Sequence, residues 1–530
     1  MCSSRLNWDK NLIRQSLDKV YECRAQVQPF LTLLLNEYHR KDNSNQYYDL
    51  ILGDWLDTFL QLAYVAWLEH KLNSPGGSIH SLTIPFSSDP EDFKRLHLKD
   101  DAALQNHLAW ATSVICDGKK PQKSWFAKES TLISTNLDSN WTITKALCEG
   151  ICTNKPKLII TAAYWKCPKI EKLYALWKWR SWARFDDMQY PITIATDINI
   201  NWRIHASSNF RSISGFQDLV CALLPLYLPV VFLEGFNLYR EKALNLSLHR
   251  PNAMFSANAL YENLIFKLYA AEWQKEGTKL LYGQHGGGYG VNHSHISEEY
   301  ETRVSSCFYS WGWERADRLV KPLAPPLPRI SKNKTIKILL IWSSYPKYIY
   351  RIHYHSMGSQ IPLLHNEICE FLHTLSDHKQ MMIRGYPNDY GWGETSKIRN
   401  AAPEAMFDIK RPSPFIRFAQ SQLIVHSYLD TSYLETLALN IPTVCFYNPI
   451  VNSFDAKAQP LINELERNSI LHRSGKDAAR FVSSISENPL KWWSKANVQE
   501  ARFNFVRHYA NFSEHWLQEW EEEFKFQIQA

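Results

Sequence analysis

The apolar run Lys279–Gly283 ends in Gln284-His285-Gly286-Gly287-Gly288-Tyr289-Gly290. Three consecutive glycines leave amide N–H groups uncovered, so the backbone can approach an anion closely. An imidazole with an ordinary pKa of about 6.5 is suited to accept a proton at neutral pH. The stretch reads as a strand end at which His285 is the general base, with Gln284, Gly286, Gly287 and Gly288 forming the loop. A glycine-rich turn around a structural histidine is the plainer alternative.

Two further stretches carry chemistry. After the run Leu423–His426 come Asp430-Thr431-Ser432 and then a helical segment bearing Glu435. Hydroxyls and free N–H groups at a helix start can hold a phosphate, and the helix dipole adds to the attraction. Glu435 is placed to accept hydrogen bonds from two ribose hydroxyls. An N-capping loop with a carboxylate in the first turn explains part of the same pattern. Earlier in the chain, Arg384-Gly385-Tyr386-Pro387-Asn388-Asp389-Tyr390-Gly391-Trp392 offers a guanidinium for a diphosphate and aromatics for a base. Arg384 paired with Asp389 is the alternative there.

The sequence contains no Gly-x4-Gly-Lys-Ser/Thr, no Gly-x-Gly-x-x-Gly after a strand and no Asp-x-Asp triplet, which argues against ATPase, dinucleotide and metal-triplet readings. The pairs His293/His295 and His353/His355 have no carboxylate at ligand spacing, so no metal site is expected.

The elements that must position these residues change character along the chain. Residues 8–38 and 48–72 carry apolar residues at helical spacing, closed by Pro75, Gly76 and Gly77. From about residue 156 short apolar runs take over: Leu158–Thr161, Ile192–Ala195, Val230–Glu234, Ala253–Ser256 and Lys279–Gly283, separated by helices such as 259–276. That alternation predicts a parallel sheet. Four prolines between Pro322 and Pro328 predict an extended spacer, after which Ile336–Trp342, Met381–Arg384, Leu423–His426 and Thr443–Tyr447 repeat the α/β pattern. The tail 496–528 has aromatic residues at helical spacing. The expected fold is α/β, with two Rossmann-like domains facing a cleft. The divisions are a helical N-terminal extension (1–150), a first domain (151–320), a linker (321–335), a second domain (336–495) and a terminal helix (496–530). Ligands would bind outside the carboxyl ends of the strands.

The 530 residues are 45% hydrophobic and 21% charged, which excludes disordered, collagenous and disulfide-scaffold classes. A net charge of +6 suits an anionic small molecule, a membrane surface or nucleic acid equally and selects none. The aromatic content of 13% points first to packed cores. Ten cysteines form no framework; Cys148 and Cys152 are one helical turn apart with no second pair, so free thiols in a reducing cytosol are expected. Met1–Lys10 lacks a secretory apolar core, and the uncharged run Leu219–Leu233, with Pro225 and Pro229, reads as a buried strand and loop. The expected location is the cytoplasm, with weak contact at the inner membrane face.

Several stretches together resemble a family of bacterial transferases of surface-polysaccharide (O-antigen and lipopolysaccharide) biosynthesis: YYDLILGDWL (Tyr47–Leu56), VFLEGF (Val231–Phe236), FKLY (Phe266–Tyr269), LYGQHGGGYG (Leu281–Gly290), SWGW (Ser310–Trp313), RGYPNDYGW (Arg384–Trp392) and TSYLETLALNIP (Thr431–Pro442). More distantly the arrangement is similar to the two-domain, metal-independent (GT-B) glycosyltransferases and to the polymerases that build teichoic acid. In those polymerases a histidine in Trp-His-Gly is the proposed base and a Ser-Ser pair grips donor phosphate; here the corresponding segments are Gln284-His285-Gly286 and Thr431-Ser432. The resemblance implies transfer of a sugar or polyol phosphate from a nucleotide-activated donor to a glycan or lipid-linked acceptor, without a cofactor and without nucleic acid. It casts His285 as base and Arg384, Asp389, Thr431, Ser432 and Glu435 as the donor side. A nucleotide-sugar epimerase using Glu234, Glu298, Glu299 or Glu301 and a non-catalytic sugar-nucleotide or glycan-binding protein are the competing readings.

Overall fold

The structure is a computed structural model that describes residues 6–72, 83–98, 103–127, 130–134, 151–210, 212–330, 333–347, 349, 351–354, 357–375 and 377–529. Cys148, His355 and the turn at Pro75–Gly77 lie outside the described residues. The strands are β1 (Ser130–Ser134), β2 (Leu158–Thr161), β3 (Ala183–Phe185), β4 (Thr193–Asp197), β5 (Ala253–Ser256), β6 (Lys279–Gly283), β7 (Cys307–Ser310) and β8 (Val320–Pro322). They continue as β9 (Ile336–Ile341), β10 (Met381–Arg384), β11 (Met406–Phe407), β12 (Ser421–His426), β13 (Thr443–Phe446) and β14 (Leu471–His472).

Two six-stranded sheets result, ordered β3-β2-β5-β6-β7-β8 and β11-β10-β9-β12-β13-β14, each parallel throughout. The apolar runs are short and continuous because helices cover both faces: every residue of β2, β5, β7 and β13 is buried. In the second sheet the strand order reverses at β9 and β12, the topological switch point where a ligand crevice opens. In the first it reverses at β2 and β5. The expected α/β architecture of two Rossmann-like domains is the one found.

Three runs fold otherwise than expected. Ile192–Ala195 falls largely in β4, but β4 pairs antiparallel with β1 outside the main sheet; its alternating exposure suits a two-stranded ribbon. Val230–Glu234 holds a 3-10 turn, Val230–Phe232. Leu219–Leu233 is mostly the buried helix Phe216–Tyr227. Pro225 stands in its last turn, and carbonyls left open at that helix end have another donor: Arg203 Nη1 donates to Pro225 O and Leu228 O, both at 2.9 Å.

The N-terminal helices Lys10–His39 and Asn45–Lys71 are built into the first domain. The second is buried from Tyr47 through Ala66, and its aspartates meet cations on neighbouring helices. Arg24 Nε bonds Asp57 at 2.6 Å, Arg303 Nε bonds Asp49 at 2.7 Å, and Lys267 Nζ bonds Asp54 at 2.6 Å. Buried charges persist only when paired in this way. Arg303 lies on the helix Ile296–Val304, so this network fixes the helix that stands behind the glycine-rich loop.

The tail forms two helices. Ala496–Tyr509 packs on the second domain, its Phe505 ring 6.0 Å from Tyr433. Trp516–Gln529 returns to the first sheet, where Trp516, Trp520 and Phe524 are buried with Phe255 and Tyr309. The two crossings between domains run side by side: Leu327 N–H donates to Ser513 O and Ser513 N–H to Pro325 O, both at 2.9 Å. The proline-rich segment is therefore hydrogen-bonded to the returning chain, and its first residues complete the edge strand β8. No described helix is long and apolar enough to cross a membrane.

Candidate active site

The glycine-rich loop leaves β6 at Gly283 and is held from behind by Gln284. Its Nε2 donates to Gly286 O at 2.8 Å, and its Oε1 accepts from Trp311 N–H and Trp313 Nε1–H, both at 2.9 Å. The loop then meets the other domain. Gly287 N–H donates to Thr431 Oγ1 at 3.0 Å. A Cβ on Gly287 would lie 2.5 Å from the Asp430 carbonyl carbon and 2.6 Å from Thr431 N, so only glycine fits between these backbones. At Gly288 φ is +87°, a conformation that also favours glycine.

His285 lies at the base of this loop. Its Nδ1 stands 3.4 Å from the Tyr289 hydroxyl and 3.7 Å from Glu301 Oε1. The fully buried Glu301 accepts from Tyr289 at 3.0 Å and from Tyr261 at 2.7 Å. Burial drives the Glu301 carboxyl well above the usual carboxylate range. Burial, then the charges of Arg351 and Lys166, lower the His285 imidazole to about 4. His285 therefore stays neutral and able to accept a proton far below the pH of about 6 at which an unperturbed imidazole begins to protonate.

The second domain presents its strand ends opposite. Thr431 opens the eight-residue helix Thr431–Ala438, with Asp430 as its N-cap. Ser432 Oγ lies 3.2 Å from His426 Nδ1 and 3.0 Å from the Tyr428 hydroxyl, while His426 Nε2 lies 3.1 Å from Thr436 Oγ1. Burial pushes His426 down to about 3, which makes it a neutral link in a chain of hydroxyls. Glu435 is buried one turn on and forms an ion pair with Lys166, which follows β2 in the first domain. Burial raises the Glu435 carboxyl and Lys166 opposes that rise.

Between the loop and these strand ends is a cavity of about 270 Å³. Gly287 and Gly288 form one wall; Ser343 and Ser344 after β9, Tyr386 after β10 and Ser427 after β12 form the other. Ser343 and Ser344 were not singled out in the sequence. They follow the first strand of the second sheet, and the rule for ligand crevices at strand ends points to them.

Of the expected site residues only Gly287 and Gly288 line this cavity; His285, Thr431, Ser432 and Glu435 lie behind its wall, and Arg384 and Asp389 are engaged elsewhere. Arg384 Nη1 bonds Asp408 at 2.6 Å and Nη2 donates to Pro412 O at 2.9 Å, so its partner is neither Asp389 nor an open cleft. The buried Asp408 also accepts from Arg417 at 2.6 Å, and two guanidiniums hold its pKa below the ordinary value against the effect of burial. Asp389 is exposed and closes its own turn by accepting from Gly391 N–H at 2.7 Å.

The other acids are similarly committed. Glu234 bonds Arg203 at 2.6 Å in a buried pair, and Glu298 and Glu299 bond Arg315 at 3.2 and 2.6 Å. Of the four carboxylates an epimerase would draw on, Glu301 alone stands beside His285. His295 caps the helix Ile296–Val304 by accepting from Glu298 N–H at 3.2 Å. Among the described residues no three His, Cys, Asp or Glu gather as a metal site.

A family model for the LIC12162 family transferases matches residues 5–524. The chain belongs to that family. It is accordingly a transferase. No curated protein matches it.

Solved structures similar to this LIC12162 family transferase include TarM, at 14% identity and a TM-score of 0.36, with 55% of this chain and 58% of that one covered. An O-GlcNAc transferase variant of Thermobaculum terrenum gives 12% and 0.33, covering 92% and 84%. Anabaena Alr3699/HepE in complex with UDP and glucose gives 10% and 0.37, covering 70% and 99%. The chain thus spans little more than half of TarM. Similarity this distant carries nothing about ligand or reaction.

Proposed function

We propose that this transferase moves a sugar, or a polyol phosphate, from a nucleotide-activated donor to a hydroxyl of a growing surface glycan. The observation that carries the reading is the junction of the His285 loop with the start of the helix Thr431–Ala438. A neutral imidazole stands behind a loop whose glycine docks on Thr431 at 3.0 Å, beside a cavity walled by hydroxyls.

The acceptor hydroxyl gives its proton to His285 as its oxygen bonds to the transferred carbon or phosphorus. The bond to the departing nucleotide phosphate breaks, leaving a nucleoside diphosphate after sugar transfer or a monophosphate after polyol-phosphate transfer. Loop amides, the helix start at Thr431 and the hydroxyls of Ser343, Ser344 and Ser432 meet the phosphate charge. The imidazolium that forms is stabilised by the Glu301 carboxyl 3.7 Å from His285 Nδ1, which Tyr261 and Tyr289 hold in place by donating to it. Glu435 takes the ribose by exchanging Lys166 for the sugar hydroxyls. No metal is assigned a role, and the place of action is the cytoplasm, on a lipid-linked acceptor.

The test is a panel of nucleoside mono- and diphosphates read by thermal shift, followed by transfer assays with the donor that binds. His285→Ala should retain nucleotide binding and lose transfer. A variant that transfers at the wild-type rate, or a requirement for magnesium or manganese, overturns the mechanism.

A further inference from the structure

The helix Lys169–Trp179 follows β2 at the mouth of the cleft and is apolar on two opposite faces. Ala175, Leu176 and Trp179 are buried against the first domain. Ile170, Leu173, Tyr174 and Trp177 recur at the spacing of one helical stripe and are exposed by 71%, 42%, 50% and 55%. Four large apolar side chains in one stripe exceed the scattered exposure normal on a soluble surface.

The rim of the stripe is cationic. From Lys166 to Arg180 there are five basic residues, Lys166, Lys169, Lys172, Lys178 and Arg180, and one acid, Glu171, which pairs with Arg329 at 3.2 Å. Lys178 pairs with Glu521 on the terminal helix, and Arg180 lies 4.7 Å over the Trp177 ring. The patch continues across the cleft mouth. A cavity of about 560 Å³ joins Tyr164, Lys166 and Lys172 to Phe415 and Ile416 of the second domain.

We propose that this face docks on an anionic lipid bilayer. Leu, Ile, Trp and Tyr flanked by lysine is the composition of a helix lying in the headgroup region, where aromatic rings sit at the interface and each nearby cation adds attraction. A second copy of the chain fits the patch less well. A two-fold interface would set the same cationic rim against itself. Docking here turns the cleft mouth, with Tyr164 and Lys166, toward the bilayer and gives the enzyme a route to an acceptor carried on lipid. The proposal rests on no step of the reaction, because docking is measured without donor or acceptor.

The test is co-sedimentation of the full chain with phosphatidylcholine vesicles, with and without phosphatidylglycerol. Binding should require phosphatidylglycerol and weaken with salt. Leu173→Ser/Trp177→Ser should reduce it by about tenfold or more, and Lys169→Glu/Lys172→Glu should remove the preference for phosphatidylglycerol. All four positions are exposed, so melting temperature and nucleotide binding should stay at wild-type values. Absence of vesicle binding, equal binding by the apolar double variant, or concentration-dependent dimerisation that this variant abolishes would each overturn the proposal.

Discussion

Two buried carboxyl groups, Glu301 in the first domain and Glu435 in the second, lie in opposite electrostatic surroundings. Glu301 has two phenols and an imidazole as partners, and burial raises its pKa well above the usual carboxylate range. Glu435 has an ammonium group, Lys166, which is itself about one-third exposed. The first arrangement encloses a buried carboxyl between two donating phenols beside an imidazole. The second is an ion pair whose cation can retreat to solvent and leave the carboxylate to another donor. On the proposed function the first serves chemistry and the second binding.

Substitutions that separate rate from affinity break or sharpen this contrast. The largest effect belongs to His285→Ala, expected to lower turnover by about 100- to 10,000-fold with donor affinity nearly unchanged. Initial rates and calorimetry on the same preparation check it, and a parallel loss of binding would make His285 structural. Gly287→Ala comes next: its Cβ meets backbone atoms at 2.5 and 2.6 Å, so loop and helix must part. A misplacement near 1 Å costs on the order of 100-fold in rate. Wild-type turnover in that variant would show that the junction is not formed during reaction.

The two carboxyls should then give crossed results. Glu301→Gln keeps an acceptor for the phenols but removes the carboxyl that stabilises an imidazolium on His285, so turnover should fall by about 10- to 100-fold at constant donor affinity. Glu435→Ala should instead weaken nucleotide binding by about 10- to 150-fold, the range for hydrogen bonds to a charged group. If both variants change the same parameter, the division of labour is wrong.

The smallest effect is in pH dependence. His285 is lowered to about 4, so the acid limb of kcat/KM should lie near pH 4 and not near 6.5. Stability carries the same sign. His39, His107, His285 and His365 are lowered to about 4 and His426 to about 3. Between pH 6.5 and 4 the unfolded chain binds more protons at these groups than the folded one, so they reduce stability as pH falls through that window. Urea denaturation at stepped pH measures it, and a flat profile would contradict the burial of these rings.

The strands were legible because buried parallel strands are short, continuous apolar runs, and β2, β5, β6, β9, β10, β12 and β13 announce themselves so. Val230–Glu234 has the same composition, and only its neighbours make it a turn. The loop at His285 was visible from its glycines, yet its purpose was not, because the group that Gly287 meets is 144 residues away. Arg384 was misplaced for a related reason. Its partner Asp408 comes from the loop after the edge strand β11, while the nearer Asp389 satisfies its own turn. Lys166 carried no local signal at all, since its meaning lies in Glu435.

The terminal helix Trp516–Gln529 has a consequence for how the protein is made. Trp516, Trp520 and Phe524 cover Phe255 and Tyr309 of the first sheet, and in the chain they come after the whole second sheet. The second domain, begun and finished within one uninterrupted stretch of chain, can reach its native state during synthesis. The first, although translated earlier, keeps one apolar face open until that later helix has been made, and through that interval it is the half exposed to misassembly.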